Sequence, residues 1–204
     1  MRQRGYFNAQ CRADTLPKGP RKMRVVYTLS PGKPYRIDTV SFVSKDEVIR
    51  DWLFKNKHST LLKPGLPADS RLFEGEKSRI TAGLKDNGFA FFTPGFIEFG
   101  GDSARYKVNI EVEVLQPGDS LAHSRHVLGA VYVFDKLTPD LINVKSDTTL
   151  GGVYFASADT AFSVKAARLY DALVVRPGVL FRQRDFDQTI SRLNGLGVFS
   201  IVSV

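Results

Sequence analysis

The chain has 204 residues, 43% hydrophobic and 25% charged, a balance ordinary for a globular protein of one or two domains. No apolar run approaches the roughly 18 residues that a membrane helix needs, and the opening "MRQRGYFNAQ" lacks the apolar stretch of a signal peptide. One cysteine, Cys11, excludes an internal disulfide framework. With no histidine near it in sequence, Cys11 reads as a small apolar residue buried in a strand, not as a nucleophile.

The net charge of +8 is concentrated at the start. Residues 1–24 hold Arg2, Arg4, Arg12, Lys18, Arg21, Lys22 and Arg24 against Asp14 alone. A nucleic-acid binder distributes its cations along a groove or helix. This cluster reads first as a solvated hairpin, and second as a patch drawn to an anionic surface such as lipid headgroups. Met23, Val25, Tyr27 and Leu29 alternate with other side chains, the register of a strand within 5–30.

Past the Pro31-Gly32 break comes "YRIDTVSF" at 35–42, which starts in period-two alternation and then shifts phase by one residue. The shift predicts a strand with a bulge, or one buried on both faces. Ser44 with Glu47 three residues on predicts a capping box opening a helix, with Val48, Ile49, Trp52 and Leu53 on one face. "LLKPG" at 61–65 breaks the chain. Asp69 or Ser70 caps a second helix, where Leu72, Phe73, Glu76, Ile80 and Leu84 follow helical spacing and Glu76 is the polar exception. Gly88 fits the left-handed position that ends it. "GFAFFTPGFIEF" then predicts a strand over Phe89–Phe99. In "ARYKVNIEVEVLQP", Tyr106, Val108, Ile110, Val112 and Val114 alternate with polar residues, which predicts a half-buried strand.

The series then begins again. "HVLGAVYV" at 126–133 repeats the irregular strand, "VVRPG" at 174–178 repeats "LLKPG", and Asp185 with Gln188 repeats a capping signal. Phe186, Ile190 and Leu193 line the last helix. "RLNGLGVFSIV" repeats the helix stop and strand start of "LKDNGFAFF", and "RGYF" at 4–7 resembles both. Residues 135–160 have no counterpart in the earlier series and read as an insertion, with Gly151-Gly152 able to turn a short hairpin. The order is thus strand, helix, helix, strand, strand, with three segments expected: 1–31, the closing hairpin of a truncated repeat; 32–118, complete; and 119–204, carrying the insertion and lacking its last strand. A strand of another molecule, residues 22–29, is expected to fill that gap head to tail. Any export signal, anchor or membrane barrel is expected outside these residues.

Chemistry is sparse. The three histidines are His58, His123 and His126. The pair His123 and His126 has no nearby carboxylate or cysteine to complete a metal site. Neither "LGGVYF" nor "KPG" has the spacing of a phosphate loop. Glu111 and Glu113 share a strand face but alternate with core residues. No catalytic residue, metal or cofactor is expected, and no small-molecule substrate or nucleic acid.

The ordered set "GYFNAQC", "PGKPYRIDTVSF", "LLKPGLPADSRLFEGEKSRITAGLKDNGFAFF" and "VVRPGVLFRQRDFDQTISRLNGLGVFSIV" resembles the POTRA domains of the BamA/TamA outer-membrane assembly superfamily, nearest to a TamA-like branch. The resemblance implies an α+β fold of tandem units, each with helices on one face of a small three-stranded mixed sheet. It also implies a periplasmic module without chemistry, placed before a membrane β-barrel. Such a module binds unfolded outer-membrane clients or periplasmic partners by strand addition at a sheet edge. A secretion transporter or division protein with the same kind of domain is the alternative, and a basic nucleic-acid-binding module, with Arg21, Lys22, Arg24 and Tyr27 mixing charge and stacking, is the alternative of another class. In such folds the strand after the second helix is an edge. The partner-binding residues implied are therefore Phe89, Phe91, Phe92, Phe96, Ile97 and Phe99, and in the last segment Val198, Phe199, Ile201 and Val202.

Overall fold

The computed structural model describes residues 4–118, 121–135, 144–199 and 202. The chain divides into two compact units, Met1–Thr81 with Thr93–Ala122, and Ala82–Phe92 with His123–Val204.

The first unit opens with a hairpin of β1 (Gln10–Pro17) and β2 (Met23–Ser30), paired antiparallel from Gln10 opposite Ser30 to Pro17 opposite Met23. The pairing puts Cys11, Ala13, Thr15 and Pro17 on one face with Leu29, Tyr27, Val25 and Met23. That face is apolar yet exposed, with Met23 72% and Tyr27 67% accessible. Cys11 is exposed as well, which corrects the expectation of a buried residue. It lies in a strand, but that strand covers no core.

Three strands form the main sheet of this unit, β3 (Arg36–Ser44), β4 (Ile97–Ala104) and β5 (Lys107–Val114), in the order β3-β5-β4. β5 is central, parallel to β3 and antiparallel to β4. The register of β3 on β5 slips between Ile37 and Thr39, so the phase shift in "YRIDTVSF" is a bulge at Asp38. The Lys107 ammonium bonds the Asp38 carboxylate there at 2.9 Å. Ile110, Val112 and Val114 are buried, as their alternation predicts.

Helix α1 (Glu47–Asn56) buries Ile49 and Leu53, while Val48 lies exposed. Its cap is Asp46, whose carboxylate accepts the N–H groups of Val48 at 3.0 Å and Ile49 at 3.2 Å. This displaces the expected Ser44–Glu47 box. The Ser44 hydroxyl instead donates to the carbonyl of Val114 at 3.2 Å, and Glu47 pairs with Arg50. Helix α2 (Ser70–Lys85) is capped by Asp69, which accepts the Arg71 N–H at 2.9 Å. Gly75 in α2 lets the helix approach Leu61, since a Cβ there would stand 2.8 Å from the Leu61 Cδ1.

Glu76 has no exposed surface. Its carboxylate accepts the Leu61 N–H at 2.9 Å and pairs with the Arg79 guanidinium at 2.6 Å. A charge this buried persists only when paired and hydrogen-bonded, and both conditions hold.

In the second unit β6 (Val131–Phe134), β7 (Ser146–Leu150) and β8 (Val153–Ser157) form a sheet in the order β6-β8-β7. β8 is parallel to β6 and antiparallel to β7. Both β7 and β8 come from the segment read as an insertion, turned at Gly151 and Gly152 with φ of 57° and 77°. The insertion therefore supplies the central strand. The parallel neighbour of β6 is the chain's own β8, and β2 is paired with β1, which corrects the expected head-to-tail filling by residues 22–29. Helices α3 (Ala166–Ala172) and α4 (Gln183–Gly195) complete the unit. The cap of α4 is Arg182, without a side-chain bond, and Asp185 sits inside the first turn, not at the cap. Val153, Phe155, Leu169, Ala172, Leu173 and Leu193 form the core, with Phe199 and Val202 packed against it.

The two Pro-Gly breaks make the same connection. In the first unit the Gly65 N–H bonds the Ile37 carbonyl at 2.8 Å, the Ile37 N–H bonds Leu66 at 2.8 Å, and the Ala68 N–H bonds Tyr35 at 2.9 Å. In the second, Gly178 bonds Leu128 at 2.7 Å, Leu128 bonds Val179 at 2.8 Å, and Phe181 bonds His126 at 2.9 Å. Thr189 stands where Glu76 stands, accepting the Val174 N–H at 2.9 Å on its hydroxyl.

Candidate partner-binding edge

β4 is an outer strand of its sheet, with β5 on one side and, among the described residues, no strand on the other. Alternate backbone N–H and C=O groups of such a strand point away from the sheet, a ready template for an added strand. Ile97 is buried and Phe99 half-buried, its ring 5.0 Å from that of Phe73. Glu98, Gly100, Gly101, Asp102 and Ser103 are exposed. Gly101 lies close to the partner strand, a Cβ there standing 3.2 Å from the Asn109 carbonyl oxygen. The charges of Glu98 and Asp102 blunt the edge against uncontrolled pairing.

The expected strand over Phe89–Phe99 begins only at Ile97. Phe89 and Phe92 are buried in the turns after α2, where the Phe92 N–H bonds the Phe89 carbonyl at 3.0 Å. Phe91 is 78% exposed and sets its ring at 90° to that of His126, 4.8 Å away. Phe96 closes a 3-10 turn, Pro94–Phe96. Pro94 has no N–H to give a ladder, and two of the phenylalanines are consumed in cores, so the aromatic run is not the edge.

The second expected edge falls differently. Val198, Phe199 and Val202 lie in no strand, and Ile201 lies outside the described residues. Phe199 and Val202 pack inward against the core of their unit. The outer strands there are β6 and β7.

The basic cluster is dispersed. Lys18, Arg21 and Lys22 sit together at the β1–β2 tip, where the Lys18 N–H bonds the Lys22 carbonyl at 2.8 Å. Arg24 is exposed on β2, and Arg12 pairs with Asp14 at 3.1 Å. Arg4 bridges to Asp69 by its backbone, and Arg2 lies outside the described residues. The Asp69 carboxyl is lowered to about 2, chiefly by the side-chain hydrogen bond from Arg71. His123 lies against the Phe92 ring at 5.0 Å. Among the described residues no three His, Cys, Asp or Glu side chains converge as metal ligands, and no helix is long and apolar enough to cross a membrane.

The outer strand after the second helix was expected, and Ile97 and Phe99 lie on it, but its bounds were placed too early, because Gly100-Gly101 weakens the strand pattern over its outer half.

The architecture is that of an α+β protein in which a parallel strand pair is flanked by an antiparallel outer strand and backed by two helices. That is the POTRA fold. The crystal structure of POTRA domains 3–5 of Haemophilus influenzae BamA matches 98% of this chain with a TM-score of 0.50 at 15% identity, and the chain spans 66% of that structure. POTRA domains 1–2 of the periplasmic domain of Omp85 from Anabaena match 83% of the chain and 87% of their own length, with a TM-score of 0.42 at 11% identity. Only the first of these bears on the fold. No family model matches the chain, and neither does any curated protein.

Proposed function

We propose that this chain is a periplasmic, non-enzymatic module of an outer-membrane β-barrel assembly or translocation protein of the TamA-like kind, and that it binds client polypeptides or partner proteins by strand addition along β4. One observation carries the reading: among the described residues β4 (Ile97–Ala104) has a single strand neighbour, so one row of its backbone groups faces outward. Backbone pairing supplies affinity without reading sequence, which suits unfolded clients of varied composition. The likeness to the BamA domains supports the setting. A membrane barrel carried elsewhere in the protein belongs to the same reading.

Amide shift mapping with an aromatic-rich peptide from an outer-membrane strand tests it. The expected result is perturbation along 97–104, abolished when alternate peptide nitrogens are methylated. Perturbation confined to α1 and α2, with β4 silent, would overturn the proposal.

A further inference from the structure

The outer strand β4 borders a charged sheet face. Its register puts Glu98 opposite Glu113, Gly100 opposite Glu111 and Asp102 opposite Asn109, on the face away from the buried Ile97, Ile110, Val112 and Val114. Glu98, Asp102 and Glu111 are exposed and Glu113 is half-buried. Among the described residues none of these carboxylates forms an ion pair. Two cations lie on the same strands or beside them. Lys107 is held by Asp38 at 2.9 Å, and Lys45 lines a cleft with Glu113. The face is thus locally acidic in a chain whose net charge is +8.

Glu98 and Glu113 stand directly opposite each other, a like-charge pair that weakens a ladder. A cation laid against the pair removes that repulsion.

The backbone says which positions of an added strand meet these charges. The Leu115 N–H donates to the Phe96 carbonyl at 2.8 Å, which fixes the alternation along β4. The groups of Glu98, Gly100 and Asp102 point to β5, and those of Phe99, Gly101 and Ser103 point outward. A strand added antiparallel bonds opposite the outward set. Opposite Glu98, Gly100 and Asp102 it forms the pairs without hydrogen bonds, where side chains approach most closely. Glu98 and Asp102 meet their partners directly. Gly100 has no side chain, and a Cβ there would stand 3.9 Å from that of Glu111, so a long side chain can cross it to the second strand.

Resting on the reading of β4 as a strand-addition edge, we infer that the segment it takes is cationic at every second position, with lysine or arginine opposite Glu98, Gly100 and Asp102. The side chains between them fall beside Phe99 and Gly101 and are uncharged. Backbone pairing accepts any extended chain, and the carboxylates select among such chains by repelling those that bring acids to these positions.

The test uses the whole chain and capped peptides alternating lysine with threonine. The controls are the same peptide with every lysine acetylated, and one of equal composition with its lysines in a single block. Amide shifts along 97–104 report the site, and titration reports the affinity. The alternating lysine peptide is expected to perturb 97–104 and to bind about tenfold tighter than its acetylated form at low salt, as three opposite-charge pairs allow. The advantage is expected to shrink as salt rises. A triple variant, Glu98→Gln with Asp102→Asn and Glu111→Gln, changes only exposed side chains and keeps their shape. It is expected to bind both forms alike. Equal affinity of wild type for both forms, equal affinity for the blocked peptide, or a preference that survives in the triple variant would overturn the inference while strand addition at 97–104 stands. Silence of 97–104 toward every peptide would overturn both.

Discussion

The fully buried carboxylate of Glu76 holds the backbone N–H of Leu61 at 2.9 Å, fixing the start of the Pro-Gly break from a helix fifteen residues further on. The same carboxylate neutralises Arg79 at 2.6 Å, and the Arg79 guanidinium lies 5.9 Å over the Trp52 ring. One acid thus ties α1, α2 and the break together.

Replacing Glu76 with Leu is expected to destabilise the protein by about 3–5 kcal/mol, because it strands a cation and a buried N–H. Glu76→Gln keeps an acceptor for Leu61 and is expected to cost less. Urea unfolding measures both. The neutral counterpart Thr189→Val is expected to cost about 1–3 kcal/mol, since it orphans the Val174 and Val175 N–H groups but strands no charge.

Asp69 gives a pH signature. Its carboxyl sits at about 2 in the folded chain against an ordinary 3.8. A lowered folded value means that the contribution is complete above the unfolded value and disappears as pH falls through the folded one. The difference in urea midpoint between wild type and Asp69→Asn is therefore expected to be constant above pH ~5 and to shrink progressively as pH falls toward ~2. Arg71→Ala, which removes the chief cause of the shift, is expected to narrow that window.

Gly151 turns the β7–β8 hairpin against Tyr170, and a Cβ there would overlap the phenol ring. With a φ of 57° added, Gly151→Ala is expected to cost about 2–4 kcal/mol. Gly19→Ala also has positive φ but meets nothing within 4 Å, so it isolates the backbone part of that cost. Thermal unfolding of both separates the two effects.

Cys11 is exposed on an uncovered face. Iodoacetamide is expected to alkylate it in the native protein as fast as in urea. Protection in native buffer would show that the β1–β2 face is covered in solution.

The bulge of β3 was legible because inserting Asp38 changes which side chains share a face, and that parity is written in the sequence. The cap of α1 was not. Ser44 and Asp46 are both competent acceptors two residues apart, and the choice is made by the distant Val114 carbonyl, which takes the Ser44 hydroxyl. The hairpin at Gly151-Gly152 was readable as a turn. Its place at the centre of a sheet was not, because that depends on the pairing of Val131 with Val153. Phe89 and Phe92 misled for a related reason: aromatic content resembles a strand, whereas their three-residue spacing winds both into the interior. The outer strand itself was expected from Phe89 to Phe99 but runs from Ile97 to Ala104, since Gly100-Gly101 carries almost no strand propensity.

The unequal origin of the two central strands sets the order in which the sheets can assemble. In the first, Thr39 reaches Asn109 across a separation of 70 positions, so α1 and α2 must be threaded between the parallel partners before any bond of that ladder closes. In the second, β8 lies just beyond its own tight turn, and Val131 meets Val153 across a far shorter loop. Loop closure alone favours the second by about 1 kcal/mol. Because barriers rise with the separation of contacting residues, the sheet built from the inserted hairpin is expected to form first as the chain collapses. Pulsed hydrogen exchange would then find the amides of β8 protected ahead of those of β5, although β5 precedes β8 in the chain.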